Sequence, residues 1–206
     1  MEVAKILENK PKGYIYGLMG NINLTTNNNN YSIITDYKFN GTVEEYLNSP
    51  KAASSLKMVL LDENVMPKNA RDLSIGELKK VSLAKALIDG KDYLVLDYFD
   101  KSFNHKEIDY FIRLTKRMTN DYQKTVILFT NDITILWNNI EELLIVDEYF
   151  VINTIPKEKY FEFIDKLNEP EIVRFTRLMK ELGLNIENYK NTQDLLKAIY
   201  RLKEQE

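Results

Sequence analysis

Ser74, Glu77 and Asp97 lie in one stretch, Arg71 to Tyr98, whose residue types and spacing could bind a charged ligand. Ser74 and Glu77 have the spacing of a helix-capping box, in which the hydroxyl accepts from a backbone N–H and the carboxylate reaches back to the cap. Asp97 follows a short apolar run, and ligands of open α/β sheets bind at the carboxyl ends of the strands. The stretch therefore predicts a binding region where a helix begins and a strand ends.

A buried helix and a buried strand must position these side chains. Apolar residues recur at helical spacing after Ser74, so we expect a helix that is buried on much of its circumference. These residues are Leu78, Val81, Leu83, Ala84, Leu87 and Ile88. Asp89 and Gly90 end the helix, and the apolar run Tyr93 to Leu96 is typical of a strand covered on both faces.

Two segments resemble motifs of the ABC transporter ATPases. Leu73 to Glu77, LSIGE, is similar to the LSGGQ/E signature, and Tyr93 to Asp97 resembles the Walker B strand, in the same order and with a similar gap. The resemblance implies an α/β, P-loop NTPase-like fold: a three-layer arrangement with helices on both faces of a sheet, a reduced N-terminal β part and a helical C-terminal extension. Without the resemblance, LSIGE fits a capping box that contains a glycine.

The segment at the family's phosphate-loop position departs from the motif G-x-x-x-x-G-K-[ST]. That motif needs glycines for close backbone approach to phosphates, a lysine for their charge and a hydroxyl for Mg²⁺. Here Gly20 matches the first glycine, whereas Thr25, Thr26 and Asn27 stand at the second glycine, the lysine and the hydroxyl positions. The same residues also fit an ordinary polar turn.

The family's catalytic positions are altered as well. Thr35 stands at the Q-loop glutamine, Tyr98 at the catalytic glutamate and Asn131 at the switch histidine, whereas Asp97 keeps the Walker B carboxylate and is a candidate Mg²⁺ ligand. A phenol with its high pKa is a poor general base. We therefore assign no catalytic residue and expect no independent ATPase activity.

The resemblance also predicts the domain organisation. Residues 1–153 would form the ABC ATPase-like core, with a helical subdomain at about 42–90, and residues 154–206 a helical extension. Leu143–Asp147 and Tyr149–Ile152 resemble the last two strands of the core. Thr42 and Glu45 have capping-box spacing at the start of the subdomain. The extension contains the predicted helices Lys157–Leu167, Pro170–Leu182 and Thr192–Lys203. It resembles the tail of ATPases in energy-coupling-factor importers, which contributes to the ATPase dimer; a generic helical extension is the alternative.

Composition excludes several other functions. The 206 residues suffice for one core, or for a core and a small appendage. The net charge of -3 and the lack of a basic block argue against nucleic-acid binding. The chain has no cysteine and a single histidine, His105, which leaves little for a zinc site or a Ser-His-Asp triad. No apolar run could span a membrane, so we expect a cytoplasmic protein, without direct membrane insertion, that is peripheral to the membrane through its partners.

Three functions remain open. The first is a non-catalytic ABC subunit that places Ser74, Ile75, Gly76 and Glu77 against ATP, with Mg²⁺, held by a competent partner ATPase in a transporter with a transmembrane subunit. The second is a regulatory or assembly protein that keeps the fold and uses no nucleotide. The third is an active ATPase with Asp36, Asp97 and Asp100 rearranged around Mg²⁺.

Overall fold

A six-stranded sheet organises the computed structural model, which describes residues 1–20, 22–146, 151–159, 171–183, 186 and 192–203. The strands are β1 (Ile15–Met19), β2 (Tyr31–Ile34), β3 (Tyr93–Asp97), β4 (Thr125–Phe129), β5 (Glu142–Val146) and β6 (Val151–Pro156). Their order is β2-β3-β4-β1-β5-β6. All neighbouring pairs are parallel except β5 and β6, which are antiparallel. The carboxyl ends of β1 to β5 therefore meet at one edge.

Helices cover both faces of this sheet. They are α1 (Val3–Ile6), α2 (Val43–Leu47), α3 (Ala52–Met58), α4 (Ile75–Ile88), α5 (His105–Tyr122), α6 (Ile133–Leu136), α7 (Glu171–Glu181) and α8 (Thr192–Lys203). Short 3₁₀ turns lie at Glu63–Val65, Ala70–Asp72, Phe99–Ser102 and Lys157–Lys159. No helix among the described residues is long and apolar enough to cross a membrane.

Alternate strand residues face two separate cores. Leu94 and Leu96 of β3 belong to the larger core, which α2 to α5 cover, whereas Val95 faces the smaller core. The smaller core is closed by α1 and by side chains that follow β1, among them Ile22 and Leu24. Because burial on both faces leaves no polar side for a strand, the sequence shows continuous apolar runs.

The helix that follows Ser74 is more buried than its apolar residues alone predict. Leu78, Val81 and Ala84 are buried as expected, and so are two lysines, Lys79 and Lys80. Asp89 caps the helix end, and Gly90 follows with φ of +69°. The predicted helix and strand of this stretch are confirmed.

Element boundaries differ from the predictions after β5. The predicted strand end at Ile152 is wrong, because β6 continues to Pro156, where its backbone pairs with Glu142. A 3₁₀ turn rather than an α-helix occupies Lys157–Lys159, and the remainder of the predicted helix Lys157–Leu167 lies outside the described residues. The predictions for Asp147, Tyr149 and Pro170 also fall outside them.

Candidate functional site

The signature segment forms the predicted capping box at the start of α4. The Ser74 hydroxyl accepts from the Glu77 backbone N–H at 3.2 Å, and the Glu77 carboxylate accepts from the Ser74 N–H at 2.8 Å. The hydrogen bond from Ser74 is the main reason why the pKa of Glu77 is lowered, with Lys68 contributing from 3.7 Å. A side-chain hydrogen bond between Ser74 and the Glu77 carboxylate also lowers this pKa, so the turn is fixed by local bonds.

A surface cleft of about 620 Å³, called the signature cleft below, opens beside this turn. Besides the signature residues, its lining includes Lys80 of the same helix, Lys101 and Ser102. The helix start packs closely on Ser102, because a Cβ added at Gly76 would lie 2.9 Å from the Ser102 carbonyl oxygen. The glycine of LSIGE is therefore required by packing in this chain.

The start of α4 has the properties of an anion-binding surface. Ile75 and Gly76 are its first two residues, so their backbone N–H groups have no intrahelical acceptor. The helix dipole adds partial positive charge at this end. Ile75 is 57% exposed, which leaves the turn accessible from solvent. The arrangement could bind a phosphate group presented from outside the chain.

Three other predicted site residues follow the carboxyl ends of β1, β3 and β4 and contact each other: Gly20, Tyr98 and Asn131. The Tyr98 hydroxyl donates to the Gly20 carbonyl at 3.0 Å, and the Asn131 amide donates to the Tyr98 oxygen at 3.3 Å. The Gly20 N–H donates in turn to the Asn131 side-chain oxygen at 3.3 Å. This Gly20–Tyr98–Asn131 network joins the ends of β1, β3 and β4.

Tyr98 has an uncommon backbone conformation for a non-glycine residue, with φ of +43°. Its ring packs against Phe129 with 4.5 Å between centroids, and the Lys101 ammonium lies 4.1 Å from the ring centroid. Burial, followed by the nearby Asp97, raises the pKa of Tyr98. A phenol held in this way is not a general base at neutral pH.

The backbone of Thr25, at the second-glycine position, pairs with the amino-terminal residues. The Thr25 N–H donates to the Met1 carbonyl at 2.9 Å, and the Thr25 carbonyl accepts from Val3 at 2.9 Å, so this backbone is extended and already paired. The Thr26 hydroxyl bonds to the Asn28 backbone, and Asn27 is exposed. No helix occurs between residues 22 and 30. Thr35 follows β2, where its hydroxyl accepts from the Tyr37 N–H at 3.3 Å.

Lys79 is a site residue that the sequence interpretation missed. It is only 7% exposed, and its ammonium donates to the carbonyls of Asp97 at 2.8 Å and Tyr98 at 2.9 Å. Burial raises the pKa of Asp97, and Lys79 opposes that rise. The signal was the helical spacing, because Lys79 shares its face of α4 with the buried residue Leu83.

The three carboxylates of the rearranged-ATPase hypothesis do not form a metal cluster. Within the described ranges, no group of three or more histidine, cysteine, aspartate or glutamate residues is arranged to hold a metal ion. Asp36 is exposed, whereas one carboxylate oxygen of Asp100 is buried without a hydrogen-bond partner. Asp97 alone remains as a metal-ligand candidate at this edge.

Curated proteins similar in sequence are transporter ATP-binding proteins. The chain is 26% identical over 163 residues to the energy-coupling factor transporter ATP-binding protein EcfA3 of Oenococcus oeni, covering 76% of this chain and 56% of the relative. It is 25% identical over 134 residues to the uncharacterized ABC transporter ATP-binding protein MJ0796 of Methanocaldococcus jannaschii, covering 65% and 57%. The chain spans about half the length of the curated relatives it matches. No protein-family model matches it.

Solved structures with the same fold are ATP-binding cassettes. A dimer of MJ0796 bound to ADP and Pi has a TM-score of 0.61 at 18% identity, covering 72% of this chain and 88% of that one. The cbiO1 protein of Clostridium perfringens, part of the ABC transporter complex cbiONQ, has a TM-score of 0.58 at 18% identity, covering 82% and 88%. These likenesses confirm the predicted fold class.

Proposed function

We propose that this chain, a homologue of ABC transporter ATP-binding proteins, is a non-catalytic cassette subunit that contributes Ser74–Glu77 to ATP held by a partner ATPase. The observation that carries the proposal is an asymmetry between two sites. In the signature turn, the N–H groups of Ile75 and Gly76 have no intrahelical acceptor and lie beside an open cleft. The Gly20–Tyr98–Asn131 network has its polar groups bonded to each other.

The signature turn supplies what a partner's triphosphate requires. The Ser74 O–H and the N–H groups of Ile75 and Gly76 are donors, and hydrogen bonds to a charged phosphate are stronger than neutral ones. The helix dipole of α4 favours the same negative charge. Catalysis in the partner would then gain from donors that are positioned before ATP arrives.

The chain's own phosphate position lacks the corresponding groups. A phosphate loop places free N–H groups at a helix start, but the Thr25 N–H is paired with Met1 and no helix occurs between residues 22 and 30. Thr26 provides no positive charge, and Tyr98 provides no base at neutral pH. The residues of this position therefore do not fit a Mg²⁺–triphosphate, which supports a role for ATP and Mg²⁺ mainly through the partner.

The partners would be a catalytically competent ABC ATPase and a transmembrane transporter subunit, which would hold this chain at the membrane. Residues 1–153 would be the cassette, with the helical subdomain at about 42–90, and residues 154–206 an extension for the ATPase dimer. Apolar side chains of α7 and α8 form a groove that suits such a contact, with Phe175 40% and Leu196 48% exposed. Ile172 of α7 packs at the margin of the larger core.

ATP hydrolysis by the chain alone, and by the complex that co-purifies with it, tests the proposal. Ser74→Asp keeps a good helix cap and adds a negative charge where a phosphate would lie. Gly76→Asp adds the same charge and crowds Ser102. We expect hydrolysis only in the complex and its loss in both variants.

Gly90→Asp is the matched control, because it adds an aspartate at the opposite end of α4 where nothing lies within 4 Å of the new Cβ. Activity of the complex that Ser74→Asp and Gly76→Asp leave unchanged would contradict the proposal and favour a nucleotide-independent regulatory or assembly role. Hydrolysis by the isolated wild-type chain would contradict it in favour of an active ATPase.

A further inference from the structure

We propose that the Lys79 ammonium is a built-in cation at the carboxyl end of β3 and that it excludes a divalent metal ion from Asp97. The inference deepens the proposed function. It rests on one part of that proposal, namely that the chain binds no Mg²⁺–ATP at the carboxyl edge of its own sheet. It assigns a role to a buried charge that the signature cleft does not use.

The first argument is the coordination of the ammonium group. Lys79 is 93% buried, and its Nζ donates to two main-chain carbonyls, those of Asp97 and Tyr98. Main-chain carbonyl oxygens are among the ligands that hard cations such as Mg²⁺ and Ca²⁺ take in proteins. At this strand end those two oxygens already bind a cation that belongs to the chain.

The second argument is charge balance. Burial lowers the pKa of Lys79, and the carboxylates of Asp97, Asp36 and Asp100 oppose this and favour the charged form. Lys101 is a second ammonium near Asp97. A divalent ion at Asp97 would therefore enter next to a buried like charge that it cannot displace without leaving two carbonyls unpaired.

The third argument is the conformation that Lys79 stabilises. Tyr98 has φ of +43°, an arrangement that persists only when the surrounding structure holds it. The bond from Lys79 to the Tyr98 carbonyl and the bond from the Tyr98 N–H to Phe129 at 2.8 Å hold it from both sides. The Lys79 ammonium thus offsets the negative charge of Asp36, Asp97 and Asp100, the acidic edge of the sheet. It also keeps the Tyr98 side chain in the Gly20–Tyr98–Asn131 network.

Titration of the full-length isolated chain with Mn²⁺, a paramagnetic probe for Mg²⁺ sites, tests this inference without ATP. Lys79→Gln keeps N–H donors for the two carbonyls and removes the charge. We expect no saturable binding by the wild type up to about 1 mM Mn²⁺, the weak end of protein cation sites. We expect at least tenfold tighter binding, about 1.4 kcal/mol, by Lys79→Gln, and its loss when Asp97→Asn is added.

Lys85→Gln is the matched control, because Lys85 lies on the same helix and also bonds a main-chain carbonyl, that of Leu47 at 3.4 Å. We expect it to behave as the wild type. A folded Lys79→Gln chain that gains no Mn²⁺ site would overturn the inference. Saturable Mn²⁺ binding by the wild-type chain that Asp97→Asn abolishes would also overturn the inference. This measurement does not require any Lys79 variant to fold. Neither result depends on whether Ser74 binds a partner's ATP.

Discussion

Two helix caps of matching geometry separate the structural role of Ser74 from its proposed role in ATP binding. The Ser74 hydroxyl accepts from Glu77 at 3.2 Å, and the Thr42 hydroxyl accepts from Glu45 at 3.2 Å. In both boxes the glutamate accepts from the cap N–H at 2.8 Å. Only Ser74 borders the signature cleft. Ser74→Ala and Thr42→Ala therefore remove the same local interaction at one candidate site and at one control position.

The expected loss of stability is alike for the two variants. Replacing a Ser or Thr cap by Ala costs about 1 kcal/mol, which corresponds to a decrease in Tm of about 2–4 °C for a chain of this size. Thermal unfolding of each isolated variant measures this loss. A larger difference between the two would show that the Ser74 side chain has structural contacts beyond the cap.

The expected loss of activity differs. A hydrogen bond to a charged group contributes about 1.5–3 kcal/mol, so losing the Ser74 hydroxyl should lower kcat/KM of the co-purified complex for ATP by about 10- to 100-fold. Thr42→Ala should leave it within about twofold, since its effect is confined to stability. Equal activity of the two variant complexes would refute the assignment of Ser74 as a phosphate contact.

Three further outcomes follow from the same contacts. Tyr98→Glu, which installs the family's catalytic residue, should give no ATPase activity in the isolated chain and should lower its Tm. Measurable ATP turnover would show that the chain's own phosphate-loop position is competent. Glu77→Gln should reduce the loss of folding stability at acid pH. The pKa of Glu77 in the folded chain lies below its ordinary value, so its carboxylate stabilises the fold above about pH 4.3. This stabilisation is lost as the pH falls through the folded pKa, and the glutamine variant lacks it at every pH. Gly20→Ala should destabilise by more than Gly90→Ala, since its Cβ would lie 2.3 Å from the Val146 carbonyl oxygen whereas that of Gly90 meets nothing; equal melting temperatures would contradict this.

Local features of the fold could be predicted from the sequence because their signals are local. The boxes at Thr42 and Ser74 follow from spacing within one turn, and β3 follows from an apolar run. The same rule applies to Asn104 and Glu107, a third capping box that begins α5 and that the sequence interpretation overlooked. The path of β6 to Pro156 could not be predicted in this way, because it depends on pairing with β5.

Contacts between residues that are far apart in the sequence could be predicted only with the strand order of the sheet. The sequence identifies each residue separately, Gly20 as a match to a family pattern and Tyr98 and Asn131 as departures from one. Only the arrangement β3-β4-β1 places them within hydrogen-bonding distance of each other. Lys79 illustrates the opposite difficulty, because a lysine on an amphipathic helix is ordinarily exposed and only the tertiary structure shows which carbonyls it meets.

Helix α4 links the two sites on which the proposals rest. Ser74 caps its start, and Lys79 lies about 7.5 Å further along the axis, where it bonds the end of β3. Because α4 is packed on nearly all sides, a shift of the signature turn would strain the bonds from Lys79 to Asp97 and Tyr98. The donors that would face a partner's phosphate are thus held in place by the residue that fills the acidic edge of the chain's own site. Under the two proposals, Lys79 would therefore both exclude a metal ion from Asp97 and hold the signature turn in place.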